Sequence, residues 1–126
     1  MKRILMAFTF CLPFLHSGLK AQSEVEVLYF HGKQRCATCM AIEKNARNAV
    51  NTQLASELKN GKVVFKTIDI SQKENQKLAE KYQVTWSSLF VVGHNNGKET
   101  AKNLTPFAFK QDEKIRKVSR RDSYRR

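Results

Sequence analysis

Cys36 and Cys39, in the stretch Arg35-Cys36-Ala37-Thr38-Cys39, are the residues of this sequence best suited to chemistry. Two thiols at that spacing can cycle between dithiol and disulfide, grip a soft metal or metalloid, or staple the chain. Stapling is the weakest use, because so short a loop removes little entropy from the unfolded chain when it closes. Metal capture would use both thiolates, yet a closed zinc site takes four ligands. His31 and His94 could complete such a site only if the fold brings them in, and each reads more simply as a loop histidine. Redox exchange uses the pair as it stands. Binding of a metal or of trivalent arsenic by the same two thiolates is the alternative.

The elements around the pair must hold it at a strand-to-helix junction. Val25 to Phe30 begins by alternating and ends as a continuous apolar run, the pattern of a strand covered on both faces. His31 to Arg35 is a polar loop turned by Gly32. A helical pattern follows from Met40 to Lys59, with Ile42, Ala46, Val50, Leu54 and Leu58 on one stripe and Glu43 and Arg47 as an i,i+4 pair. Asn60-Gly61 supplies the stop, with Gly61 suited to a left-handed C′ position.

Lys62 to Ile70 is a second strand, and Ser71-x-x-Glu74 reads as a capping box for a helix carrying Leu78, Ala79 and Tyr82. This alternation with short joints predicts a parallel strand pair joined by a right-handed crossover. Val84 to Ser88 is a connector and Leu89 to Val92 a third strand. Asn95-Asn96-Gly97 predicts a type I′ hairpin, returning through a polar edge strand from Lys98 to Leu104. Thr105-Pro106 reads as an N-cap with proline at the first helical position. Phe107, Phe109, Ile115 and Val118 would give the last helix its apolar stripe. The predicted order is β-α-β-α-β-β-α, in one domain over residues 22–118.

The flanks have a different character. Lys2 and Arg3 precede an apolar run from Ile4 to Leu15, and a short polar stretch ends at Ala21. That is the layout of a secretory signal peptide over residues 1–21, too short for a membrane span of about 20 apolar residues. Cys11 falls inside it. The net charge of +12 is concentrated at the C-terminus, where Lys110 to Arg126 carries eight lysines and arginines. Residues 119–126 have nothing to bury and read as a disordered basic tail. In an exported protein such a tail suits weak contact with a membrane surface better than nucleic acid. No glycine-rich phosphate loop is present, so no nucleotide, flavin or other cofactor is expected.

This layout, with its Cys-x-x-Cys after the first strand, resembles the thioredoxin fold. The run from Lys66 to Val92, including Lys66-Thr67-Ile68-Asp69-Ile70-Ser71 and Leu89-Phe90-Val91-Val92, is similar to the middle of thioredoxins. More narrowly, Tyr29 to Glu43 resembles a small exported thioredoxin-like family described as a subunit of a nitrophenyl-compound nitroreductase linked to organoarsenical handling.

The resemblance implies an α/β domain with a four-stranded mixed sheet and helices on both faces. It puts Cys36 at the N-terminus of the first helix as the exposed nucleophile, and Cys39 one turn on as the buried resolving thiol. A helix N-terminus stabilises negative charge by up to about 2 kcal/mol, and one pKa unit is about 1.4 kcal/mol. With Lys33 and Arg35 nearby, the Cys36 thiol should ionise near neutral pH.

Three departures narrow the reading. Arg35 replaces the tryptophan thioredoxins place before the first cysteine, and Ala37-Thr38 replaces their Gly-Pro. The loop Trp86-Ser87-Ser88 replaces the one that carries their cis-proline, and a trans peptide is expected because a non-proline cis bond costs about 3 kcal/mol. The strand before the pair offers only Tyr29 and Phe30 where thioredoxins bury an acid, and Asp69 ends the next strand facing solvent.

The expected activity is that of an exported, periplasmic thiol–disulfide oxidoreductase or electron-relay subunit. Cys36 and Cys39 are its catalytic residues, and Arg35, Trp86, Ser87 and Ser88 its substrate contacts. Its partners would be disulfide clients and a membrane electron donor, with the protein itself a monomer.

Overall fold

The computed structural model describes residues 23–123. The segment read as a signal peptide and residues 124–126 lie outside the described residues. Strand β1 (Val25–His31) is central, and its alternation sends side chains to two separate cores. β1 pairs in parallel with β2 (Val63–Asp69), from Val25 opposite Val63 to His31 opposite Asp69. On its other side it pairs antiparallel with β3 (Ser88–Asn95), which pairs antiparallel with β4 (Lys98–Asn103). The strand order is β2-β1-β3-β4. The expected β-α-β-α-β-β-α order and four-stranded mixed sheet are therefore present.

Val27 and Tyr29 face the first core with Ile42 and Val50 of helix α1 (Ala37–Gln53), and with Ala108 and Phe109 of helix α4 (Thr105–Ser123). Leu28 and Phe30 face the second core, with Ile68, Phe90, Val92 and Ala79 of the short helix α3 (Gln76–Lys81). Helices thus cover both faces of the sheet.

Several local predictions change. The helix predicted over 40–59 starts three residues earlier and breaks at Leu54 (φ −120°, ψ 28°), continuing as α2 (Ala55–Lys59). Just before the break the Thr52 hydroxyl donates back to the Asn48 carbonyl at 2.8 Å, a bond that bends helices. The capping box does not form. The Asp69 carboxylate takes both the Ser71 N–H (2.9 Å) and the Ser71 hydroxyl (2.7 Å), so a 3₁₀ turn over Lys73–Asn75 leads into α3 instead.

The hairpin is as predicted: Asn96 (φ 49°) and Gly97 (φ 76°) both occupy the left-handed region, and β4 is exposed throughout. Gly61 likewise takes φ 79° after α2.

The last helix differs most. The Thr105 hydroxyl accepts the Leu89 N–H at 2.9 Å, so it anchors α4 to β3 rather than capping it. Phe107 and Ile115 are not core residues, being 61% and 57% exposed, while Phe109 and Asp112 turn inward. Phe107 and Ile115 flank an apolar groove of about 450 Å³ between α1, α4 and the sheet. The helix continues through residues 119–123, the first part of the segment read as tail.

Candidate active site

The cysteine pair sits where β1 hands over to α1. Five loop residues separate His31 from Ala37, and Cys36 is the N-cap of α1 with extended backbone (φ −76°, ψ 157°). Its sulfur accepts the Cys39 N–H at 3.0 Å, so one free amide of the first turn points at it. Cys36 and Cys39 form a disulfide with Cα atoms 5.1 Å apart. Cys36 is exposed and Cys39 is buried. One sulfur faces solvent at a helix N-terminus and the other is shielded. Such a pair supports a thiol–disulfide redox role.

Beneath the pair lies a polar cluster of which the sequence announced only the Glu43–Arg47 pair. Tyr29, 1% exposed, donates its hydroxyl to the Cys39 carbonyl at 2.7 Å. Burial pushes its ionisation upward, although Ser87 and Arg35 act in the opposite sense, so it remains a protonated donor. The Arg35 guanidinium lies over the Tyr29 ring, 5.9 Å from its centroid, and is bound to Glu43. Glu43 also accepts from Arg47 (3.0 Å) and Thr67 (3.2 Å). Burial alone would raise the Glu43 carboxyl, but Arg35 and Arg47 outweigh it and hold it below its ordinary value. The same ion pair raises Arg35 further. Arg35 is therefore not a free cation beside Cys36, as the sequence suggested, but is paired with a carboxylate it shares with Arg47.

The facing loop contributes the other predicted contacts. Ser87 and Ser88 are buried, and the Ser88 hydroxyl donates to the Trp86 carbonyl at 3.0 Å. Ser88 pairs with Phe30, and Ser87 lies by the Tyr29 hydroxyl, so this loop meets the cysteine turn through β1. Every described peptide bond is trans, at Trp86-Ser87-Ser88 as elsewhere. Trp86 is 58% exposed and rests on Phe109 of α4, ring centroids 5.3 Å apart.

The fold also brings in Arg116, which no pattern linked to this corner. It binds Asp112 at 2.8 Å and donates to the hydroxyl of Thr38, between the two cysteines. The signal for Glu43 was available, since it lies one helical turn beyond Cys39. Strand alternation likewise put Tyr29 on the face of α1. For Arg116 there was no signal.

The histidines do not converge on the pair. His94 binds Glu26 at 2.8 Å, near the start of β1, and His31 pairs with the Gly32 carbonyl at 2.9 Å. Among the described residues no group of three or more His, Cys, Asp or Glu is placed to hold a metal ion. Asp69 stands at the end of β2 with its carboxylate committed to Ser71.

No protein-family model and no curated protein matches the chain. Solved structures do. A thioredoxin from Plasmodium falciparum is 17% identical, with 65% of this chain and 59% of that one aligned and a TM-score of 0.46. A thioredoxin from Thermus thermophilus is 18% identical over 73% of both chains, with a TM-score of 0.46. A malarial protein is 18% identical over 71% of this chain and 96% of its own, with a TM-score of 0.43. The chain thus spans less than two thirds of the Plasmodium thioredoxin. Its own connectivity makes the fold thioredoxin-like: strand order β2-β1-β3-β4, one parallel pair, and a Cys-x-x-Cys capping the first helix.

Proposed function

We propose that this protein is an exported thiol–disulfide oxidoreductase, or the electron-relay subunit of a reductase, working through Cys36 and Cys39. The observation that carries the reading is the exposed Cys36 sulfur at the N-cap of α1, bonded to a buried Cys39. In the reduced protein the Cys36 thiolate attacks one sulfur of a client disulfide. A Cys36–client disulfide forms and the other client sulfur leaves as thiolate. Cys39 loses its proton and attacks the Cys36 sulfur. The Cys36–Cys39 disulfide forms, and the client has gained two electrons as two thiols. A dithiol donor reverses these steps to reduce the pair.

The apolar leader supports an oxidising, periplasmic setting and a membrane-borne donor. Trp86 offers a flat apolar surface to a client, Arg35, Ser87 and Ser88 border the pair, and the protein acts as a monomer. The likeness of Tyr29 to Glu43 to a nitroreductase-associated family supports the relay form of the reading.

The test is dithiol-dependent reduction of insulin or a model disulfide. Wild type should turn over. Cys36→Ser should abolish turnover, a loss of at least about a thousandfold for removal of a nucleophile. Cys39→Ser should instead accumulate a client mixed disulfide. Unchanged turnover in Cys36→Ser sinks the proposal. A wild type without exchange that binds one trivalent arsenic per reduced pair, lost equally in both variants, selects the metalloid-binding alternative.

A further inference from the structure

Cys39 is held at both of the peptides that flank it. Its N–H points at the Cys36 sulfur at 3.0 Å, and its carbonyl receives the Tyr29 hydroxyl at 2.7 Å. Tyr29 belongs to β1, which is hydrogen-bonded along both edges, to β2 and to β3. The phenol is fully buried, its ring is covered by Arg35, and Leu89 is its register partner on β3. A carbonyl inside the first turns of α1 is thus tied to the sheet by a side chain. That bond fixes where the neighbouring amide aims.

We infer that Tyr29 is a positioning residue for the redox pair, locking the first turn of α1 so that the Cys39 amide stabilises the Cys36 thiolate. It acts through the Cys39 carbonyl and moves no proton. Without its hydroxyl the ring still fills the core, but the first turn can rotate relative to β1 and the N–H···S contact loosens. An amide bond to a thiolate is charge-assisted and sensitive to its alignment. The charged and titratable groups around this turn are Lys33 and Arg35 before α1, Glu43 and Arg47 on α1, His31 at the end of β1 with Asp69 opposite it on β2, and Arg116 with Asp112 on α4. The loop Trp86-Ser87-Ser88 adds none. Tyr29→Phe removes none of these charges, so a change in Cys36 ionisation reports the position of the peptide.

The inference rests on Cys36 as the attacking thiol, but its readout is titration rather than turnover. A wild type that fails to reduce disulfides defeats the proposed function and leaves this test intact. The measurement is the pH dependence of Cys36 alkylation by iodoacetamide in the reduced protein. In Tyr29→Phe the midpoint should rise by about half a unit to one unit. An unchanged midpoint with a lowered melting temperature would make Tyr29 a packing residue only and overturn the inference.

The shift should persist when Tyr29→Phe is made in an Arg35→Gln background. Its disappearance there would assign the effect to the guanidinium, again overturning the inference. If Tyr29→Phe does not fold, 3-fluorotyrosine at position 29 keeps the hydroxyl and strengthens it as a donor. That protein should titrate below wild type, and an unchanged midpoint would refute the role.

Discussion

The two faces of the sheet are built by different rules. On the α3 face, Phe30, Tyr82 and Phe90 meet in tilted and edge-to-face pairs with centroids 5.4–5.9 Å apart, and Leu28, Ile68 and Val92 close the layer around them. The α1–α4 face also buries Val27, Ile42, Val50 and Leu89, yet it admits a tyrosine hydroxyl, an ion-paired arginine and an apolar groove. The α3 face keeps its polar contact at the rim, where the Tyr82 hydroxyl donates to Glu99 at 2.8 Å, and it too carries a hollow, of about 440 Å³, beside Ile70, Ala79 and Val84. The other face brings its polar groups against a disulfide.

The contrast can be broken most directly by truncating an aromatic ring on the α3 face. Phe90→Ala should cost about 3–5 kcal/mol, the usual toll for emptying a buried aromatic site. Urea unfolding would measure the loss, while the Cys36 alkylation midpoint should stay where it is in wild type. A shifted midpoint would mean the two faces are not separate.

A smaller effect should appear on the polar face with Glu43→Gln. Glu43 is held below its ordinary value of 4.5 in the folded protein. A depressed carboxyl contributes stability that is complete above its unfolded pKa and is lost as pH falls through the lower folded value. Between pH 6 and pH 3 wild type should therefore lose more stability than Glu43→Gln. Parallel pH profiles by thermal melting would show that the Arg35–Glu43–Arg47 cluster contributes nothing to folding.

The smallest effect belongs to the groove. Ile115 is 57% exposed, so Ile115→Ala should change stability by less than about 0.5 kcal/mol. A loss above about 1.5 kcal/mol in the same urea assay would place Ile115 in the core after all.

Most of the frame was legible because its signals are local. The alternation of Val25 to Phe30, the Asn96-Gly97 turn and the stripe through Ile42, Ala46 and Val50 each report on one element, and each is realised. What failed were signals with a local competitor. Ser71 could cap a helix, but the Asp69 carboxylate two residues back captured it first. Phe107 and Ile115 looked like a core stripe, yet the anchoring of Thr105 on Leu89 sets the rotation of α4 and turns Phe109 and Asp112 inward.

Around the cysteines, the exposed–buried asymmetry of the pair followed from the fold the sequence resembled. The matching of Arg35 by Glu43 and the reach of Arg116 to Thr38 did not, because both depend on how α1 and α4 dock. Long-range pairing of side chains leaves no period in the sequence.

Trp86, the only tryptophan in the chain, has a spectroscopic consequence. It stands in the loop before β3, more than half exposed and leaning on Phe109 of α4. Tryptophan emission from this protein is therefore a probe of the loop–α4 contact rather than of the aromatic layer on the α3 face. A tryptophan emission shift on reduction, client binding or mild heating reports that contact. Global unfolding must be followed by far-ultraviolet ellipticity, and a gap between the two curves would measure how independently that contact moves.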